Sequence, residues 1–243
     1  MNKVIEISSY PKCGNTWLRY IIGQIFMLDP NKEIPDVHQH NYRTKEIMKS
    51  AVLKYDSYSF YKSHVLDNPN MKCDKVVLIY RNPLDVFFSS MNYFHLHKMT
   101  EQFKGGIVKN VDELVSAGEL DYYFNKFCDD VGSGYFSSML GERSNYKKYL
   151  QDAFNNDKVV SIRYEDLVDE PVVTVRNLLN KLMPNEAIEL DLDIFVEVDE
   201  KTKFSNNSFF WKAKKNTHLD YLSKEQVEYF YSKNGYFNSL GYE

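Results

Sequence analysis

Tyr10-Pro11-Lys12-Cys13-Gly14-Asn15-Thr16-Trp17 stands directly between a short apolar stretch, Val4 to Ile7, and an amphipathic run, Leu18 to Met27. An apolar stretch, a turn holding a glycine and a run of helical period read as strand, tight turn and helix. A helix N-terminus leaves backbone N–H groups without partners and carries positive partial charge, so an oxyanion docks there readily. Lys12 adds a full charge to that end, and Thr16 adds a hydroxyl in the first turn. The segment reads as a phosphate-type cradle at the head of an α/β domain. The eight residues alone leave open a plain helix start with Lys12 in solvent. The cradle is not the ATP type, in which the lysine follows the second glycine of G-x-x-x-x-G-K-[ST]. Lys12 precedes the only glycine of a shorter loop, and the dinucleotide fingerprint G-x-G-x-x-G is absent.

Three later segments extend this reading. In KVVLIYRNPLDVFFSSMN, Lys75 to Asn92, the continuous apolar run Val76 to Tyr80 suits a buried parallel strand. Arg81-Asn82 breaks the run and Pro83 suits a first helical position. Arg81 is thereby placed at the carboxyl end of a strand, where open α/β sheets bind ligands, and Ser89 two turns into the next helix. VVSIRYEDLV, Val159 to Val168, is another apolar strand ending in Tyr164-Glu165-Asp166. Tyr61-Lys62-Ser63-His64 closes the stretch before the Arg81 strand. Strands are expected near 3–8, 59–63, 75–80 and 158–163. Helices are expected near 16–27, 44–54, 83–95, 120–130, 144–154, 171–182, 188–200 and 223–234. The stretches 28–42 and 98–110 read as irregular. Strands alternating with helices give the fold class: α/β, a single domain with a central parallel sheet flanked by helices.

Taken in order, YPKCGNTW, KSH, RNPLDVFFS and YED resemble the motifs of the sulfotransferases that use 3′-phosphoadenosine 5′-phosphosulfate (PAPS). That family carries Y-P-K-S-G-T/N-T-W, K-T-H, R-N-P-x-D-V-x-x-S and Y-E-D in the same sequence. The likeness runs from about residue 4 to the end of the chain. Cys13 stands where the family has Ser, and Ser63 where it has Thr. The family's late R-K-G segment has no clean counterpart; the nearest is Trp211-Lys212-Ala213. The dimer motif of animal cytosolic members is missing, so no oligomeric state is carried over.

The resemblance implies a P-loop-like, phosphosulfate-binding strand-loop-helix and one sulfotransferase domain over residues 1–243. It implies PAPS as sulfuryl donor and 3′,5′-bisphosphoadenosine (PAP) as product, with no metal required. Lys12 and the N–H groups of Cys13, Gly14, Asn15 and Thr16 would hold the 5′-phosphosulfate. Trp17 would stack on the adenine, with a core role as the alternative, and Tyr164 would lie near that base. Arg81 and Ser89 would hold the 3′-phosphate, with an Arg81–Asp85 ion pair as the alternative, and Lys212 would assist. His64 would act as general base and Lys62 would sit near the transferring group. Glu165 and Asp166 are expected to cap the helix that follows. The pairs His38/His40 and His95/His97 have the spacing of a metal pair on a strand, but no third ligand is evident.

Composition sets outer bounds. The chain has 243 residues, 43% hydrophobic and 26% charged, ordinary for a protein with a real core. A net charge of −4 disfavours general nucleic-acid binding, so an anion site must be a local gathering of Lys and Arg. Cys13, Cys73 and Cys128 form no C-x-x-C pair, which suits a reducing, cytoplasmic setting. No leader or membrane span is visible, so no membrane partner is expected. Residues 184–200 carry seven acids and no Lys or Arg. On a helix, Glu189, Asp193, Glu197 and Glu200 would share an outer face over Ile188, Leu192, Phe195 and Val196; the sharper alternative is a rim drawing a cationic acceptor. The aromatic clusters suit an aromatic or alicyclic small-molecule acceptor. Two rival readings stand: a small P-loop kinase using ATP, and an inactive nucleotide-binding protein on the same fold.

Overall fold

The stretch read as the first strand is one: Lys3–Ser8 (β1) carries Ile5 and Ile7 into a core beneath the sheet. The structure is a computed structural model that describes residues 3–37, 58–69, 71–97, 109–186, 188–203 and 214–243. The helix expected over 44–54, the stretch 98–108 and Lys212 lie outside the described residues. After β1 come the helix Asn15–Ile25 (α1) and the strands Asp36–Val37 (β2), Tyr58–Ser63 (β3) and Lys75–Tyr80 (β4). Then follow the helices Pro83–Leu96 (α2), Val111–Ser116 (α3), Leu120–Asp130 (α4), Ser137–Leu140 (α5) and Tyr146–Phe154 (α6). The chain continues through Val159–Arg163 (β5), Tyr164–Asp169 (α7), Pro171–Leu182 (α8), Leu192–Lys203 (α9) and Lys224–Lys233 (α10).

The five strands are parallel, in the order β2-β3-β1-β4-β5. Connections leaving β1 run to one side of it, and those leaving β4 run to the other. The strand order therefore reverses between β1 and β4, and such a switch point opens a crevice at the carboxyl ends of the strands. The loop after β1 holds Lys12, and the residue after β4 is Arg81.

The chain groups into two compact units. The first joins residues 1–81 with 152–206 and contains the whole sheet. Its core packs Ile5, Ile7, Phe60, Val77 and Ile79 of the strands against Leu18, Ile21 and Ile22 of α1 and Val175, Leu178 and Leu179 of α8. The second joins residues 82–151 with 207–243 and is built on stacked aromatic rings. There Phe127 lies 5.7 Å from Phe230, and Phe237 lies 5.9 Å from both Phe230 and Tyr146. Phe87, Phe88 and Phe94 of α2 are buried in this core.

Some expectations are corrected. β2 falls in a stretch read as irregular; two residues are too few to show a periodicity. Tyr164-Glu165-Asp166 form the first turn of α7, so the acids do not cap the next helix. Glu170 holds the α8 cap position, with no side-chain cap bond. In the acidic segment the helix starts only at Leu192, and its buried positions are Phe195, Val198 and Thr202. Leu192 and Val196 are exposed, so the expected apolar stripe is rotated. Asp85 meets His218, whose ring Nδ1 and backbone N lie 2.8 and 3.0 Å from its Oδ1.

On β1 the alternate residue Glu6 is fully buried and accepts hydrogen bonds from Tyr61 Oη at 2.7 Å and Asn68 N at 3.1 Å. Burial pushes its carboxyl up to about 7 from an ordinary 4.5, against the pull of those donors. The folded state thus keeps a proton that the unfolded state releases above pH 4.5. Stability should fall as pH rises from about 4.5 to 7, by on the order of 3 kcal/mol. Glu6→Gln should remove that slope, so that its advantage over the wild type grows from pH 5 to pH 8 in denaturant melts. Parallel pH profiles for the two proteins would contradict the assignment.

Candidate functional site

The loop between β1 and α1 turns sharply at two places. Lys12 has φ +71°, and Gly14 has φ +98°. A Cβ on Gly14 would stand 2.7 Å from Cδ2 of Tyr164, so glycine is required there for space as well as for conformation. Gly14 is the N-cap residue of α1 and supplies no side-chain cap bond, which leaves the helix N-terminus open toward the loop. The Cys13 N–H donates within the loop to the Tyr10 carbonyl at 3.4 Å, and the Cys13 side chain is buried. Thr16 and Trp17 are half-buried in the first turn of α1.

Three cations gather around this loop. Burial lowers the Lys12 ammonium to about 8 from an ordinary 10.5, and the charges of Arg81 and Lys62 push it the same way. A lysine held among cations in a buried loop is a site prepared for an anion, which would relieve both effects. Arg81 is buried and donates from Nη1 to the Lys12 carbonyl at 3.4 Å. Its guanidinium carbon lies 4.3 Å from the centroid of the Tyr164 ring. The Trp17 ring meets the same tyrosine edge-on, at 5.9 Å between centroids and 61° between planes. Tyr164 is therefore the shared wall behind Gly14, Trp17 and Arg81.

His64 follows the last residue of β3, and its Nδ1 lies 2.9 Å from the Ser9 carbonyl oxygen. A carbonyl only accepts, so Nδ1 carries the proton and the ring's lone pair is on Nε2. Ser63 Oγ accepts from Val65 N at 2.9 Å and so fixes the turn on the far side of His64. Lys62 is buried and pairs with the Asp36 carboxylate. Burial lowers its ammonium below the ordinary lysine value, with Asp36 acting in the opposite direction.

The structure thus brings Lys12, Gly14, Asn15, Thr16, Trp17, Arg81 and Tyr164 around one loop in the first unit. His64 is tied to the same loop through Ser9. Ser89 is buried on α2 in the second unit, and Lys212 lies outside the described residues. Two residues beside the loop carry no sequence signal. Asp36 sits on a two-residue strand with no pattern to mark it, and Ser9 acts through a backbone carbonyl, which no side-chain motif records.

A family model described as the sulfotransferase domain matches residues 3–236. The chain belongs to the sulfotransferase family. Among relatives, sulfotransferase 6B1 of Mus musculus is 25% identical over 203 residues, covering 76% of this chain and 57% of that protein. Flavonol 3-sulfotransferase of Flaveria bidentis is 22% identical over 264 residues, covering 92% of this chain and 78% of that one. The chain spans little more than half the length of the 6B1 relatives that it matches. The sulfotransferase fold is also seen in two solved structures. Mouse SULT7A1 complexed with PAP aligns with a TM-score of 0.58 at 16% identity, over 95% of this chain and 82% of that one. Retinol dehydratase in a complex with retinol and PAP aligns with a TM-score of 0.61 at 14% identity, over 97% and 81%. Among the described residues of this sulfotransferase-family chain, no helix is long and apolar enough to cross a membrane.

Proposed function

We propose that the chain is an enzyme that transfers a sulfuryl group from PAPS to a hydroxyl or amine of a small-molecule acceptor, by in-line displacement. The observation that carries this reading is the loop itself. A half-buried lysine of lowered basicity, an arginine and an uncapped helix N-terminus converge on one turn, and a histidine of fixed tautomer is tied to that turn. The residues fit a bis-anionic nucleotide, since Lys12 stands in the loop after β1 and Arg81 directly after β4. The bound donor would supply a sulfuryl group joined to phosphate through an anhydride oxygen.

The chain's own residues do the rest. Lys12 and the N–H groups of Gly14, Asn15 and Thr16 stabilise charge developing on the departing 5′-phosphate, with Cys13 contributing its place in the loop. His64 takes the acceptor's proton at Nε2 as attack proceeds. Lys62 neutralises charge near the transferring group, poised by Asp36. Arg81 holds the 3′-phosphate, with Ser89 and Lys212 assigned to it by the family pattern. Trp17 and Tyr164 form the aromatic wall on the adenine side. No metal is needed in this scheme. One sulfotransferase domain over residues 1–243 contains both compact units. Similar proteins include a flavonol 3-sulfotransferase and a retinol dehydratase. They favour an aromatic or alicyclic acceptor here, and a relative named as a cytosolic sulfotransferase supports a cytoplasmic setting.

A panel of phenols, alicyclic alcohols and amines incubated with PAPS labelled at sulfur tests the reading. Label should pass to at least one acceptor class with formation of equimolar PAP. Phosphate transfer from ATP to the same panel, with no transfer of sulfur, would replace the reading with that of a kinase.

A further inference from the structure

We infer that Asn15 is a positioning residue that sets the spacing between the Lys12 loop and His64; the inference rests on the proposed sulfuryl transfer. In the family pattern this position offers a backbone N–H to the donor. Its side chain in this chain does something else. Asn15 is buried, and its Nδ2 donates to the Ile7 carbonyl at 3.3 Å and to the Ser63 carbonyl at 3.1 Å. An amide nitrogen has two hydrogens, and both are used. The reverse orientation would set the amide oxygen against two carbonyl oxygens, so the donors face the strands. Asn15 Oδ1 is buried with no hydrogen-bond partner among the described residues, so the side-chain bonds recorded for this amide are those of its donors.

The two carbonyls belong to the carboxyl ends of neighbouring strands. β1 and β3 pair in register as far as Ser8 and Ser63. Past that rung their chains diverge, one into the Lys12 loop and the other into His64. The Ser63 carbonyl lies in the peptide plane that leads into His64. Gripping that plane fixes the His64 backbone relative to α1, and the bond from His64 Nδ1 to the Ser9 carbonyl fixes its ring. Asn15 and Ser9 therefore hold the base at two points, both anchored to the segment that carries Lys12. Displacing a reacting group by about 1 Å can cost on the order of 100-fold in rate, so a single amide at this joint has leverage on catalysis without touching the reacting atoms.

The test pairs kinetics with a readout that needs no turnover. Asn15→Ala should lower kcat by roughly 10- to 100-fold and leave the affinity for PAP within about threefold. In a His64→Ala background the same substitution should change kcat by less than about twofold, since a positioning effect acts only through the group positioned. In the ligand-free protein, nitrogen NMR of the His64 ring should show one tautomer, protonated at Nδ1, in the wild type and a mixture in Asn15→Ala. Asn15→Thr, which keeps one hydroxyl donor, should fall between the two and serves if the alanine variant does not fold. Additive losses in the double variant, or a ring that stays in one tautomer, would overturn the inference. So would a loss of PAP affinity equal to the loss of kcat, which would make Asn15 a nucleotide ligand. If wild-type protein neither binds PAP nor transfers sulfur, the functional reading fails, while the tautomer measurement still decides the role of Asn15.

Discussion

Lys12→Ala is expected to lower kcat by roughly 10²–10³ or more, because in the proposed transfer it removes the ammonium of the turn where leaving-group charge would develop. The fold should survive, since Lys12 is a half-buried loop residue and its removal takes no member from the hydrophobic core. The pH dependence adds a second signature. With the ammonium held at about 8 by burial and by Arg81, kcat/KM for the donor should fall as pH rises through about 8. Below that value the amine is charged and complements an anion; above it the amine is neutral. Lys12→Arg keeps the charge at all accessible pH, so the alkaline limb should vanish in that variant even where the rate is poor. Steady-state kinetics from pH 6 to 10 check both statements, and an unchanged alkaline limb in Lys12→Arg would assign it to another group.

His64→Ala is expected to lower kcat by roughly 10²–10⁴, the range for loss of a general base. The bond from Nδ1 to the Ser9 carbonyl puts the basic lone pair on Nε2, so only the neutral ring can accept a proton. Melting temperature and PAP affinity should hardly change, which separates a lost base from a damaged site. Wild-type turnover in His64→Ala would remove the histidine from the mechanism.

Much of this arrangement is local and therefore legible in sequence. The apolar stretch before Tyr10, the single glycine at 14 and the run from Leu18 fix a strand, a turn and a helix within a few residues of each other. Arg81-Asn82-Pro83 marks the end of β4 in the same way, and Asn82 Oδ1 caps the next helix by accepting from Leu84 N at 2.9 Å. What was not legible depends on partners distant in sequence. Asp36 meets Lys62 across 26 residues from a strand too short to announce itself. Ser9 orients His64 through a carbonyl, which every residue possesses. Asn15 was readable as a loop residue offering an N–H, while the direction of its side chain depends on how β1 and β3 end side by side. Glu165 and Asp166 read as caps in sequence because Pro171 opens a helix just beyond. The acids instead lie in the first turn of a six-residue helix that begins at Tyr164, the residue that backs the loop.

The most direct measurement is the nucleotide preference, because it needs no knowledge of the acceptor. A site with Lys12 at one strand end and Arg81 at the next should bind PAP far more tightly than ADP or ATP, since the bisphosphate offers an anion to each. At about 100 times its Kd, PAP would add roughly 2.7 kcal/mol of stability. For a chain of this size that is a rise of roughly 5–10 °C in Tm. The rise should persist in EDTA, since in the proposed site lysine, arginine and backbone N–H groups would meet the anions. A larger rise with ATP and Mg²⁺, lost in EDTA, would contradict a sulfuryl-donor site at this loop.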